Sequence, residues 1–217
     1  MRMAPEGWPF IAAGWALAAL AGWAAWRWGD WLWVPAGLLG VVAIWLLVFF
    51  RDPVRTGPRG TEFVIAPADG KIVSVAEVDE PQFLQGRARR ISIFMNVFNV
   101  HVNRYPVSGR VELVYYNPGK FLHAAADKAS LDNEQSSIGV QGPHGPVLVR
   151  QIAGQVARRI VTDGQPGDTA AQGERLGMIR FGSRVDVFLP LTARLAVKIV
   201  PGERVLAGRS ILAVYER

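Results

Sequence analysis

Two stretches without a charged residue, Trp8 to Trp26 and Trp31 to Phe50, constrain this chain more than any other feature. Each approaches the ~20 residues an α-helix needs to cross the hydrocarbon core of a bilayer. Only Arg27-Trp28-Gly29-Asp30 separates them, which leaves room for a tight turn and nothing more. The spacing predicts a helical membrane hairpin within residues 1–55, with helices over 8–26 and 31–50. A cleaved signal peptide would account for the first run, but not for an equally long second run four residues later. Trp8, Trp23, Trp26, Trp28, Trp31 and Trp33 gather toward the run ends, where amphipathic rings favour the membrane surface. Arg2 precedes the hairpin and Arg51, Arg55 and Arg59 follow it, so the positive-inside tendency places both ends at the cytoplasmic face of the cell membrane.

The remainder of the 217 residues suffices for about one domain, here 56–217. The chain has no cysteine, which excludes disulfides, thiolate nucleophiles and cysteine-ligated zinc. Its net charge of +6 is carried by arginine, 20 residues against four lysines. A guanidinium fork suits phosphate oxygens, so the balance fits anionic lipid or nucleic acid. No nucleic-acid motif is recognisable, and no nucleic-acid partner is expected.

Beyond the hairpin, short β-type runs alternate with Gly and Pro and lack helical periodicity. They predict a β-dominated (α+β) domain, a sandwich or flattened barrel. The Ala-rich stretch from Gly119 to Ser137 reads as a helix or a partly helical loop. Two segments echo each other 35 residues apart, "PGDTAAQGERLGMI" from Pro166 and "PGERVLAGRSILAV" from Pro201. A weaker pair is "PADGKIV" from Pro67 and "PVSGRVE" from Pro106. Such hairpin repeats resemble those of lipoyl-type and biotinyl-type sandwiches, which bears on architecture and not on activity.

Three residues stand out chemically. Asp69 precedes Gly70, a common turn dipeptide whose carboxylate often bonds its own backbone. His101 lies in a β run with Asn99 and Asn103 on its face, either as a hydrogen-bonded strand residue or as a base. Ser183 follows Gly182 inside an otherwise regular strand pattern, and a β-bulge explains that glycine as readily as chemistry does. Together the three types form the set that makes a hydroxyl nucleophilic. The G-x-S-x-G elbow of a hydrolase is missing, because Arg184 to Phe188 continue a strand.

The segments "FFRDP", "APADGKI", "NVHVNRYPVSG", "NPGKF", "DKASLDNEQ" and "GERLGMIRFGSRVDVFLP", in this order from Phe49 onward, resemble the short type of phosphatidylserine decarboxylase proenzyme. The resemblance implies self-scission between Gly182 and Ser183. The serine attacks the preceding carbonyl, the peptide becomes an ester, and elimination leaves a large β chain (1–182) and a small α chain (183–217) paired as a heterodimer. Ser183 ends as a covalent pyruvoyl group, the only cofactor expected; no metal is. That carbonyl forms a Schiff base with phosphatidylserine, a phospholipid substrate at the membrane, and yields phosphatidylethanolamine and carbon dioxide. The likeness makes His101 the base that activates Ser183 and Asp69 the group that orients the imidazole. Longer members carry a second histidine where Arg104 stands here, and His123 stands where Asn is expected. His144 reads as a loop residue. Arg51 and Arg55 would favour anionic lipid at ~1 kcal/mol each, or act only as topology signals. The sequence leaves room for a higher oligomer. Two other functions compete on the residues alone: an uncut, membrane-tethered binding module of the lipoyl kind, and a serine hydrolase acting on lipids.

Overall fold

A computed structural model describes residues 2–119, 133–154, 159–180, 182–191 and 194–216. The chain divides into two compact units, Met1–Val54 and Arg55–Arg217.

In the first unit, strand β1 (Arg2–Met3) leads into helix α1 (Trp8–Trp28), then α2 (Trp33–Phe49) and strand β2 (Arg51–Asp52). Pro9 sits at the start of α1, where a missing N–H costs nothing. Gly29, with φ +137°, ends α1, and its N–H closes on the Ala25 carbonyl. β1 and β2 pair antiparallel across the hairpin's base, Arg2 opposite Asp52. Both helices are long and apolar enough to cross a membrane, and most of their large side chains face outward, Trp26 being 76% exposed. Such a surface is compatible with membrane association.

The second unit is built of strands β3 (Phe63–Ile65), β4 (Gly70–Glu80), β5 (Gly86–Met95), β6 (Val102–Arg104), β7 (Gly109–Asn117), β8 (Gln135–Gly142), β9 (Gly145–Ala153), β10 (Ile160–Thr162), β11 (Thr169–Ala170), β12 (Arg175–Ile179), β13 (Ser183–Pro190), β14 (Leu195–Val197), β15 (Arg204–Val205) and β16 (Ile211–Tyr215). An eight-stranded sheet, ordered β11-β7-β8-β9-β13-β5-β4-β15, curls into a half-barrel. Two three-stranded sheets, β10-β12-β6 and β14-β16-β3, complete the unit. Among the described residues every strand pair is antiparallel. The β-dominated domain and the preceding helical hairpin expected from the sequence are both present.

The two sequence echoes turn out to be halves of one repeat. Gly167 and Gly202 have φ +101° and +96°, and Gly173 and Gly208 have +84° and +71°. Each pair lies in the left-handed region where a Cβ is disfavoured. The hydrogen bonds repeat with the same offsets. Gly167 N–H donates to the Val111 carbonyl and Gly202 N–H to that of Ile72, both at 2.8 Å. Gly173 N–H donates to Tyr105 and Gly208 N–H to Ala66, again both at 2.8 Å. Where the halves meet, Ile65 N–H bonds the Pro106 carbonyl (3.1 Å) and Arg104 N–H bonds that of Pro67 (2.9 Å). Pro67 and Pro106 therefore mark equivalent crossings.

One expectation changes. Gln135 to Ser137, the end of the segment read as helical, lie in β8, paired on both sides by β7 and β9. Local helix preference yields to two ladders of hydrogen bonds. Residues 120–132, which hold most of the rest of that segment and His123, lie outside the described residues.

Candidate active site

β13 runs through the middle of the large sheet between β5 and β9, with Ser183 opposite both Met95 and Ala153. Period-two alternation sends Val185, Val187 and Leu189 into the main core. Arg184 and Asp186 point to the other face, where they form a two-point ion pair (Nε to Oδ1 2.7 Å, Nη2 to Oδ2 2.7 Å) with both side chains nearly inaccessible. The polar positions that look out of place in a central strand are thus a self-neutralising fork. Beyond it, burial pulls the Arg150 guanidinium below the usual arginine range, opposed by the nearby Glu80 and Asp186 carboxylates.

Ser183 opens this strand and is 0% exposed. Its Oγ donates to the Met95 thioether at 3.5 Å. Gly182, just before it, has φ +66°, while a Cβ there would meet no described heavy atom within 4 Å. Glycine is needed for the backbone turn, then, and not for space. Gly182→Ala is expected to lower stability by only about 1–2 kcal/mol through the left-handed conformation. Thermal melts of the purified variant would check this.

His101, also 0% exposed, precedes β6 and faces the same junction. Its Nδ1 lies 3.0 Å from the Asn99 carbonyl oxygen, and the Gly182 N–H points at Nε2 from 3.4 Å. A backbone N–H can only be accepted, so Nε2 carries the lone pair and Nδ1 the hydrogen. The Asn99 carbonyl is itself held in a tight turn: Asn96 N–H donates to Asn99 Oδ1 and Phe98 N–H to Asn96 Oδ1, both at 2.9 Å. The imidazole is therefore fixed in one tautomer, out of water, with its basic nitrogen toward Gly182-Ser183.

Asp69 is placed differently. One carboxylate oxygen receives Arg55 Nη2 at 2.6 Å and the other the Ala207 N–H at 2.8 Å. In the other half of the repeat Ser108 Oγ receives the Gln172 N–H at 3.0 Å, so Asp69 and Ser108 hold equivalent hairpin turns. The structure thus joins Ser183, Gly182 and His101, while the Asp69 carboxylate serves Arg55 and a turn. Arg55 cannot also meet lipid from this position, because its side chain is 10% exposed within that pair. Arg104 Nη1 donates to the Gly173 carbonyl at 3.0 Å and its Cδ packs near Gly208. It lies on the opposite face of β6 from Asn103. His144 stacks on Tyr215 (4.4 Å between centroids) in the β8–β9 turn. Burial raises the Tyr215 phenol to about 12, so it stays neutral.

Sequence reasoning placed Asn103 on the face of His101 but passed over the other residues behind Ser183. Asn103, Gln151, Thr162 and Ser136 form a largely buried polar chain, and Met95 lies between Asn103 and Ser183. Nothing in the spacing links Gln151, Thr162 or Ser136 to Asn103, and a core methionine gives no signal. A family model described as phosphatidylserine decarboxylase matches residues 42–213.

Proposed function

Because this chain belongs to the phosphatidylserine decarboxylase family, we propose that it cuts itself between Gly182 and Ser183 and then decarboxylates phosphatidylserine to phosphatidylethanolamine at the membrane. The observation that carries this reading is the Gly182-Ser183 junction itself, left-handed at Gly182, with Ser183 closed from water and His101 Nε2 facing Gly182.

In this reading Ser183 Oγ turns from Met95 toward the Gly182 carbonyl carbon and forms a C–O bond while the C–N bond to Ser183 breaks. His101 Nε2 takes the hydroxyl proton and returns one to the departing nitrogen. Loss of the Ser183 Cα proton then breaks the Cβ–O bond and leaves Gly182 with a free carboxylate. The dehydroalanine left at residue 183 tautomerises to an imine, takes up one water and releases ammonia; the pyruvoyl group so formed would supply an electron sink for the breaking carboxylate bond. The buried Ser183 beside His101 fits that group, since dry surroundings protect a reactive carbonyl. β13 keeps its ladders to β5 and β9 after scission, so the two chains should co-elute until denatured.

Asp69 takes a positioning role. Its turn holds Pro67, whose carbonyl anchors Arg104 at the end of β6, the strand that His101 enters. Removing one partner of the largely buried Arg55–Asp69 pair should cost about 3 kcal/mol. Asp69→Ala and Arg55→Ala should therefore slow scission and lower the melting temperature together. A direct contact of Asp69 with the imidazole would spare Arg55→Ala.

The hairpin, continuous with the domain at Val54–Arg55, confines it to the bilayer surface where the headgroup is presented. Flanking arginines orient the domain to the cytoplasmic side. The direct test is release of carbon dioxide from carboxyl-labelled phosphatidylserine in detergent micelles. Purified chain is expected to release it and to form phosphatidylethanolamine; cleavage of acyl esters instead would point to a hydrolase.

A further inference from the structure

A donor of hydrogen bonds sits beside Ser183 with almost nothing to donate to. Asn103 is 0% exposed on β6, and its Oδ1 accepts from Gln151 Nε2 at 2.8 Å. Gln151 Oε1 in turn accepts from the Thr162 hydroxyl at 3.2 Å, and Thr162 lies 2.7 Å from Ser136 Oγ. With Oδ1 used in this way, the Asn103 amide hydrogens must face the other direction. There, among the described residues, they meet only the Met95 sulfur, 3.7 Å away. Thioether sulfur is a weak acceptor, and an under-satisfied buried amide is costly. The same sulfur receives the Ser183 hydroxyl at 3.5 Å, so Asn103 Nδ2 and Ser183 Oγ converge on one atom.

We propose that Asn103 is the donor that stabilises the oxyanion of residue 182 during self-scission. This rests on the self-processing reading above. When Ser183 Oγ bonds to the Gly182 carbon, the carbonyl oxygen takes up the electron pair and becomes negative, two bonds from Oγ. It returns that pair as the C–N bond breaks. The hydroxyl must leave Met95 to attack, and the sulfur is the one acceptor the Asn103 amide gives up when a charged oxygen arrives nearby. Such a donor strengthens its bond only in the transition state, which is where it accelerates the step. Gln151, Thr162 and Ser136 act through it as positioning residues that keep the amide from flipping.

The test follows scission on gels, not activity of the mature enzyme. Asn103→Leu, similar in size but without the donor, should slow scission by about 100-fold, as loss of one such donor does elsewhere. Melting of the same substitution in an uncleavable Ser183→Ala chain shows whether the fold persists. Asn103→Asp keeps the shape and accepts from Gln151 but cannot donate when ionised. Its rate is measured as a ratio to wild type at the same pH, which cancels the loss of the His101 base common to both chains. That ratio should be low at neutral pH and rise as the pH falls and the introduced carboxyl gains a hydrogen. A merely structural role predicts a ratio that does not change with pH. Wild-type scission in Asn103→Asp at neutral pH, or a low ratio that stays flat with pH, overturns the proposal even if Asn103→Leu does not fold. Wild-type rates in a folded Asn103→Leu overturn it as well. An uncut wild-type chain removes the self-processing reading and this one together; a cut wild type with unaffected Asn103 variants removes this one alone.

Discussion

Ser183→Ala is expected to remain one polypeptide of 23.8 kDa, whereas the wild-type chain should separate on a denaturing gel into residues 1–182 and 183–217. The substitution removes the hydroxyl that the proposed step turns toward the Gly182 carbonyl, and with it the nucleophile, so the loss should be total and not graded. The fold should survive. Among the described residues Ser183 Oγ bonds the Met95 sulfur, and loss of the hydroxyl should leave the backbone ladders to β5 and β9 intact. Oγ is small and its bond weak, so the melting temperature should fall by little. Decarboxylation should vanish with scission, because the carbonyl end group comes from the same atom set. A Ser183→Ala chain that still divides at this bond would assign the nucleophile elsewhere.

His101→Gln is the second large effect. Glutamine can keep a hydrogen bond to the Gly182 N–H or the Asn99 carbonyl, but it has no nitrogen able to take the hydroxyl proton. General base catalysis of this kind contributes about 100- to 10,000-fold, and scission should slow by an amount in that range. Time courses over hours on freshly expressed chain would show accumulated full-length protein. Wild-type scission should also slow in acid, since an imidazolium no longer offers a lone pair at Nε2. His101→Gln, with no such group, should lose that dependence. An unchanged rate would remove His101 from the step.

The hairpin was readable because two uncharged runs of membrane length admit few alternatives, and α1 and α2 end within two residues of the expected limits. The repeat was readable in part. Proline and glycine at fixed offsets revealed the turns at Pro166 and Pro201, but only the backbone bonds show that Pro67 and Pro106 complete the same design. Asp69 illustrates the limit. An Asp-Gly turn and a catalytic carboxylate look alike in sequence, and the distinction lies in Arg55 and Ala207, one of them 138 residues away. The orientation of His101 was likewise beyond reach, because its partner is a main-chain carbonyl, which no side-chain pattern encodes. Arg184 and Asp186 read in the sequence only as strand positions, and their mutual pairing is visible only in the structure.

Mass spectrometry of the small fragment from active protein, with and without a carbonyl reagent, tests the central assignment most directly. The fragment should begin at residue 183 without an amino group, add one molecule of the reagent, and lose decarboxylase activity in proportion to that addition. A fragment beginning with an ordinary serine amine, or active material made only of uncut chain, would contradict it.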